Sequence, residues 1–357
     1  MLLQSIFFND GLHALNHLII DNCVSNDLEI EGPCYIQNLM IHVSEILCCS
    51  WTMELKCLHQ LSVTKSGSPD CSLFLSQALN IGCGIEYLNL SQNNFSSPLE
   101  IESECKLKFL GLKDCIISMN FLNSLIELTK SGKLVIQALD LSGTRKFLTN
   151  DEFTSFLQSL QDVEFNELET LLFDNNFLSP NQSALFSNFL KAQKKLVNLS
   201  ISCSLNVKES PSGLLAFIAL EEKAKMEMPL LTLAINGDNS MEFSFERLSK
   251  QLLNGISSTI QNLNITNQKV GQEGLEALLP AVKNGQIIEL LFDGSNVKSF
   301  DFLYQFCQEL ISSEKLSFAC FPELDFCNIQ TNLSISDSHS NEIQLMKSEI
   351  EKLKQNF

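Results

Sequence analysis

The side chains best suited to ligate a metal or move a proton are five histidines, thirteen cysteines and 42 carboxylates, and their spacing decides which chemistry is open. His17 and His42 lie on stretches of alternating apolar residues, with the parity of outward-facing positions, and Asp21 is close to the first. Two imidazoles and a carboxylate begin a metal or acid–base site, yet no further ligand or cysteine is spaced to complete it. NGDN at 236–239 and DGSN at 293–296 carry pieces of a calcium loop, but neither has the bidentate Glu at the twelfth loop position. Gly82-Cys83-Gly84 lacks the third glycine and preceding strand of a dinucleotide loop, and neither a P-loop nor G-x-S-x-G occurs. The expectation is a chain with no catalytic residues, no metal and no cofactor.

Charge narrows the partners. The formal net charge of −18 argues against a phosphate-binding surface and against an anionic membrane leaflet. Only two arginines, Arg145 and Arg247, are present. No C-x-x-C pair and no zinc-finger spacing organises the cysteines, so they read as reduced thiols of a cytoplasmic protein. The opening MLLQSIFFND has no basic n-region, and no apolar run is long enough to insert into a bilayer.

What positions the polar residues is a period. In IEYLNLSQNNF, residues 85–95, apolar positions at 85, 88 and 90 precede a turn residue, Asn93. The same spacing returns as Leu107, Leu110, Leu112 with Cys115, then Ile136, Leu139, Leu141 with Thr144, and Leu168, Leu171, Phe173 with Asn176. It continues at Leu196, Leu230, Ile260 and Ile287, so six intervals cover the 180 residues from 107 to 287, an average of 30. Copies starting at Leu15, Ile36 and Leu58 follow a shorter period of 21 and 22 residues, and a twelfth strand is expected near Leu316. Alternate strand residues face the core, and the turn residue, usually Asn, Ser, Thr or Cys, bonds backbone groups left open by the turn. Cys23 and Cys115 are accordingly expected as buried thiols. NDEFTSFLQSL places Phe153, Phe156, Leu157 and Leu160 on one helical face, with Asn150 or Asp151 to cap it. QEGLEALLPAVKNG ends at Gly285 and FERLSKQLLNG at Gly255, where helices are expected to stop.

The outward strand positions then form one polar face. Its candidate binding residues are the aromatics Tyr87 and Phe109, Lys113, the acidic Asp140, Asp174, Glu289 and Asp293, and the amides Asn198 and Asn264. Beyond Asn328 the chain turns polar. Residues 328–341 read as a linker, and 342–357 as an amphipathic helix whose Ile343, Met346, Ile350, Leu353 and Phe357 make a short a/d seam. That seam suits either a weak homodimer or a helix docked back on the end of the repeats.

Strand, turn and helix at 28–30 residues resemble the ribonuclease-inhibitor class of leucine-rich repeats. The resemblance implies an α/β solenoid over residues 1–327, a horseshoe of about 11–12 repeats. It places a parallel sheet on the concave face and helices on the convex one, with a thinner N-terminal end. The run into LSFACFPELDF and a final helix resembles the repeat domain of CARMIL-type actin regulators. That implies a non-catalytic scaffold for actin-regulatory proteins at the cell cortex. The basic, proline-containing capping-protein motif of that family is absent from this sequence, so that activity is carried over to no residue. Two alternatives share the repeat type: a GTPase-activating protein, and an innate-immune-type sensor repeat.

Overall fold

The computed structural model describes residues 17–21, 24–25, 28–30, 37–42, 45–46, 49–51, 58–81, 84–204, 230–237, 259–333 and 340–353. The chain is a mixed α/β protein with a large parallel β-sheet and several helices. It divides into two compact units, Met1–Asn176 with Ala192–Lys195, and Phe177–Lys191 with Leu196–Phe357.

In the first unit the sheet strands lie side by side in chain order. They are β1 (His17–Asp21), β2 (Asn38–His42), β3 (Gln60–Thr64), β4 (Tyr87–Asn89), β5 (Phe109–Gly111), β6 (Ala138–Asp140) and β7 (Thr170–Leu172). Every pairing is parallel, and the register sets Leu18, Leu39, Leu61, Leu88, Leu110, Leu139 and Leu171 in one row. This is the second apolar position of the sequence period. A parallel neighbour demands a long crossover. Three helices supply it here: α1 (Ser72–Ile81), α2 (Met119–Lys130) and α3 (Asn150–Leu160). Among the described residues between 17 and 64 there is no helix; short strand pairs such as Leu28–Ile30 with Cys49–Trp51 stand there instead. A 21-residue period leaves no room for a helix of ordinary length.

The second unit repeats the scheme. Its strands are β8 (Asn198–Ser200), β9 (Thr232–Ala234), β10 (Asn262–Asn264), β11 (Glu289–Leu291) and β12 (Phe318–Ala319). They align Leu199, Leu233, Leu263, Leu290 and Ala319 in register. Its helices are α4 (Pro180–Ala192), α5 (Gly271–Lys283), α6 (Phe300–Ile311), α7 (Glu323–Leu333) and α8 (Ser340–Leu353). The core of each unit lies between sheet and helices. Phe95 meets Phe121 at 4.7 Å between ring centroids in the first unit, and Phe292 meets Phe306 at 5.2 Å in the second.

The turn residue does what the period requires of it. Asn93 donates from Nδ2 to the carbonyls of Val63 (2.6 Å) and Leu90 (2.9 Å) and accepts the amide of Ser66 (2.8 Å). Asn176 donates to Leu141 O and Phe173 O and accepts the amide of Arg145. Thr144 donates to Leu141 O three residues back and Cys115 to Leu90 O of the preceding turn, and the longer Gln268, which departs from the small-residue rule, still reaches Ile235 O. Cys115 is fully buried, and burial pushes its thiol up to about 12. Cys23 lies outside the described residues, as do Gly255 and the N-terminal segment.

Two expectations shift, and the last helix takes the docked one of its two expected arrangements. The cap of α3 is Thr149, one residue ahead of the expected Asn150 or Asp151. Its hydroxyl accepts the Glu152 amide while the Glu152 carboxylate accepts the Thr149 amide, a reciprocal capping box. The linker expected at 328–341 starts inside α7, because Phe326 and Ile329 are spaced to bury one helical face and do. The a/d seam of the last helix is also occupied within the chain: Ile343, Met346 and Ile350 are buried where α8 packs on α6 and β12. Leu353 and Phe357 are outside the side chains described. Helix α5 ends as expected: Gly285 has φ +71°, its amide bonds Val282 O, and the Gln286 amide bonds Ala281 O.

Candidate functional site

On the first unit, β4 and β5 bring Tyr87 and Phe109 opposite each other in register. Tyr87 is 44% exposed, an unusual setting for a large ring on a sheet. Phe109 is half-buried because its ring leans along its own strand. A Cβ on Gly111 would lie 2.8 Å from Phe109 Cε1 and 2.9 Å from Asn89 Oδ1, so the missing side chain is what lets the ring lie down. Lys108 places Nζ 5.8 Å from the Tyr87 ring centroid and is held there by Glu86 at 2.8 Å. Lys113 is exposed on the chain leaving β5.

The polar candidates fare differently. Asp140 is buried, not exposed: its register partners are Gly111 and Leu172, and its Oδ1 accepts the Ser142 amide at 2.9 Å. Burial raises its pKa, against the lowering effect of Ser142 and the Lys113 charge. The same device recurs where Asn89 accepts the Ser91 amide and hydroxyl. The serine hydroxyl extends it by accepting the next strand's amide, as Ser142 Oγ does from Asp174. These side chains hold the end of the strand. Asp174 is half-buried beside them.

In the second unit, Asn264 belongs to that class, its Oδ1 accepting the Thr266 amide (3.1 Å) and hydroxyl (2.8 Å). Asn198 is half-buried and Glu289 exposed on their strands. Asp293 is turned into the fold: Oδ1 accepts the amides of Gly294 and Leu324, each at 2.9 Å, the latter in the first turn of α7. Through Oδ1 the DGSN turn thus caps the first turn of α7. Beside it Asp325 is fully buried and accepts the amides of Ser295 and Val297. Burial raises both carboxyls; the Glu323 charge adds to it at Asp293, and the Asp293 charge at Asp325.

Among the described residues the histidines do not converge. His17 Nδ1 lies 3.0 Å from Asn38 Nδ2, and His42 Nδ1 lies 2.6 Å from Thr64 Oγ1. Among the described residues no three His, Cys, Asp or Glu side chains group as a metal site, and no helix is long and apolar enough to cross a membrane. A cleft that the sequence period does not announce opens where the chain leaves β3 to β6, with a volume of about 450 Å³. Its walls come from four successive turns, which no single stretch of sequence displays. No protein-family model matches the chain, and no curated protein is similar to it.

Proposed function

We propose that the chain is a leucine-rich repeat protein, a horseshoe with its sheet on the concave side, and that it acts as a non-catalytic scaffold holding a protein partner on that face. The in-register leucine rows and the turn residues that bond back to them support the repeat reading. The observation that carries the function is the Tyr87–Phe109 pair. Tyr87 is exposed and Phe109 half-buried beside it, and aromatic rings presented on a rigid face are the usual anchors of a protein interface, a well-covered one being worth about 2 kcal/mol or more. Lys108 beside Tyr87 adds a donor at the rim of the same patch.

The test is affinity capture from a cytosolic extract with the full chain and with a Tyr87→Ala/Phe109→Ala variant of matched melting temperature. Partners bound by the first and lost by the second support the reading, and actin-assembly proteins among them support the cortical assignment. Partners retained by the variant overturn the role of this face.

A further inference from the structure

The cleft beyond the ends of β3 to β6 differs in character from the sheet face. It is lined by Lys65 from the first turn, Gln92 and Asn94 from the second, Asp114 and Ile116 from the third, and Lys146 with Phe147 from the fourth. Three features set it apart.

The first is charge. In a chain of net charge −18, two ammonium groups and one carboxylate line this cleft, and none of the described ion pairs includes Lys65 or Lys146. None of the described ion pairs joins the lone carboxylate, Asp114, to either lysine. Asp114 Oδ1 lies over Gly143, where a Cβ would come within 2.2 Å of it. The second is apolar exposure. Ile116 is 48% exposed and Phe147 37% exposed, and Lys146 Nζ stands 5.2 Å from the Phe147 ring centroid. The third is rigidity. Lys65, Gln92, Asp114 and Gly143 all have positive φ, between 51° and 71°, and the amides of Lys65, Gln92 and Asp114 bond the carbonyls of Ser91, Lys113 and Ser142. The walls are therefore tied turn to turn, so little ordering cost attends binding.

We propose that this cleft is a second recognition site, distinct from the Tyr87–Phe109 face, that takes a short acidic peptide segment carrying a bulky apolar side chain. The apolar group would sit on Ile116 and Phe147 while carboxylates meet Lys65 and Lys146. A long polyanion is disfavoured because the rest of the chain repels it. A short acidic segment feels mainly the two lysines, since charges more than about 8 Å away are screened at physiological salt.

The probe is a pair of immobilised peptide libraries of about six residues, roughly 20 Å when extended. Each has one fixed Phe, flanked by Glu in one library and by Gln in the other. The full chain is expected to bind the Glu library about tenfold more strongly, with the difference shrinking as salt rises. A Lys65→Asn/Lys146→Gln variant removes both charges, and Asn tolerates the positive φ at 65. It is expected to lose that preference while melting as the parent does and keeping any partner of the Tyr87 face. Phe147→Ala is expected to weaken both libraries. Equal binding of the Glu and Gln libraries, or a preference that survives the double variant, would overturn the proposal. So would lysine-dependent binding to phosphatidylserine vesicles with none to the Glu peptides, which would assign the cleft to a lipid surface.

Discussion

Asn176 shows how much one side chain carries in this fold. It is fully buried and makes three bonds to backbone, through Nδ2 to Leu141 O (3.0 Å) and Phe173 O (3.1 Å), and through Oδ1 from the Arg145 amide (2.9 Å). Alanine there leaves Phe173 O and Arg145 N without those partners, while Leu141 O keeps the Thr144 hydroxyl at 2.7 Å. Each orphaned buried group costs about 1–3 kcal/mol, so Asn176→Ala is expected to lower unfolding free energy by roughly 2–4 kcal/mol. Thr144→Ala, which removes one of three donors to Leu141 O and leaves the Asn176 amide and its own backbone N–H there, should cost about 1 kcal/mol. Urea midpoints of the two variants check the ranking; equal losses would show that the amide's reach across to the neighbouring turn does not matter.

At the scale of elements, Asp70 ties helix α1 to the loop after β4. Its Oδ1 accepts the amide of Ser72 (2.9 Å), the first residue of α1, and that of Ser96 (3.1 Å), and its Oδ2 accepts the Ser97 amide (3.1 Å) and hydroxyl (2.7 Å). Burial alone would raise this carboxyl, but the bonds from Ser72, Ser96 and Ser97 outweigh it and hold the pKa well below the usual range. The unfolded value is about 3.9, so the contribution is complete above about pH 4 and is lost as pH falls through the folded pKa. Asp70→Ala is expected to cost about 1 kcal/mol at neutral pH, the ordinary worth of a cap, and the gap between variant and parent should narrow below pH 4. Parallel thermal melts across that range decide it; a gap that widens in acid would contradict the ionised-acceptor account. Neither Asp70 nor Asp325 was legible in the sequence, because both reach into a turn from outside the strand-and-turn period. The leucine rows, the buried turn residues and the apolar face of α3 were legible, since each is a local pattern repeated. At Asp140 and Asp293 the sequence shows less than the geometry does: outward parity gives a residue's side of the strand, not whether its oxygen bends back onto the chain's own amides. The cleft with Lys65 and Lys146 escaped because it exists only once four turns are stacked.

For the molecule as a whole, the last helix decides how the chain ends. Strand β12 is the last in its sheet, and an uncovered strand edge pairs with other chains. Helix α8 packs on β12 and α6 and puts Ile343, Met346 and Ile350 inside, while Leu345 and the charged Glu342 face out. Its apolar stripe is thus buried against the chain itself. Truncation after Leu333 is then expected to uncover the α6 face and the strand edge together, giving concentration-dependent association by light scattering, while the full chain scatters as one species. Met346→Glu should act in the same direction, at a cost of about 3 kcal/mol for a carboxylate forced into an apolar contact. The opposite pattern, a full-length dimer that Met346→Glu separates into stable monomers, would mean that the seam serves a partner helix and that the docked arrangement yields to it.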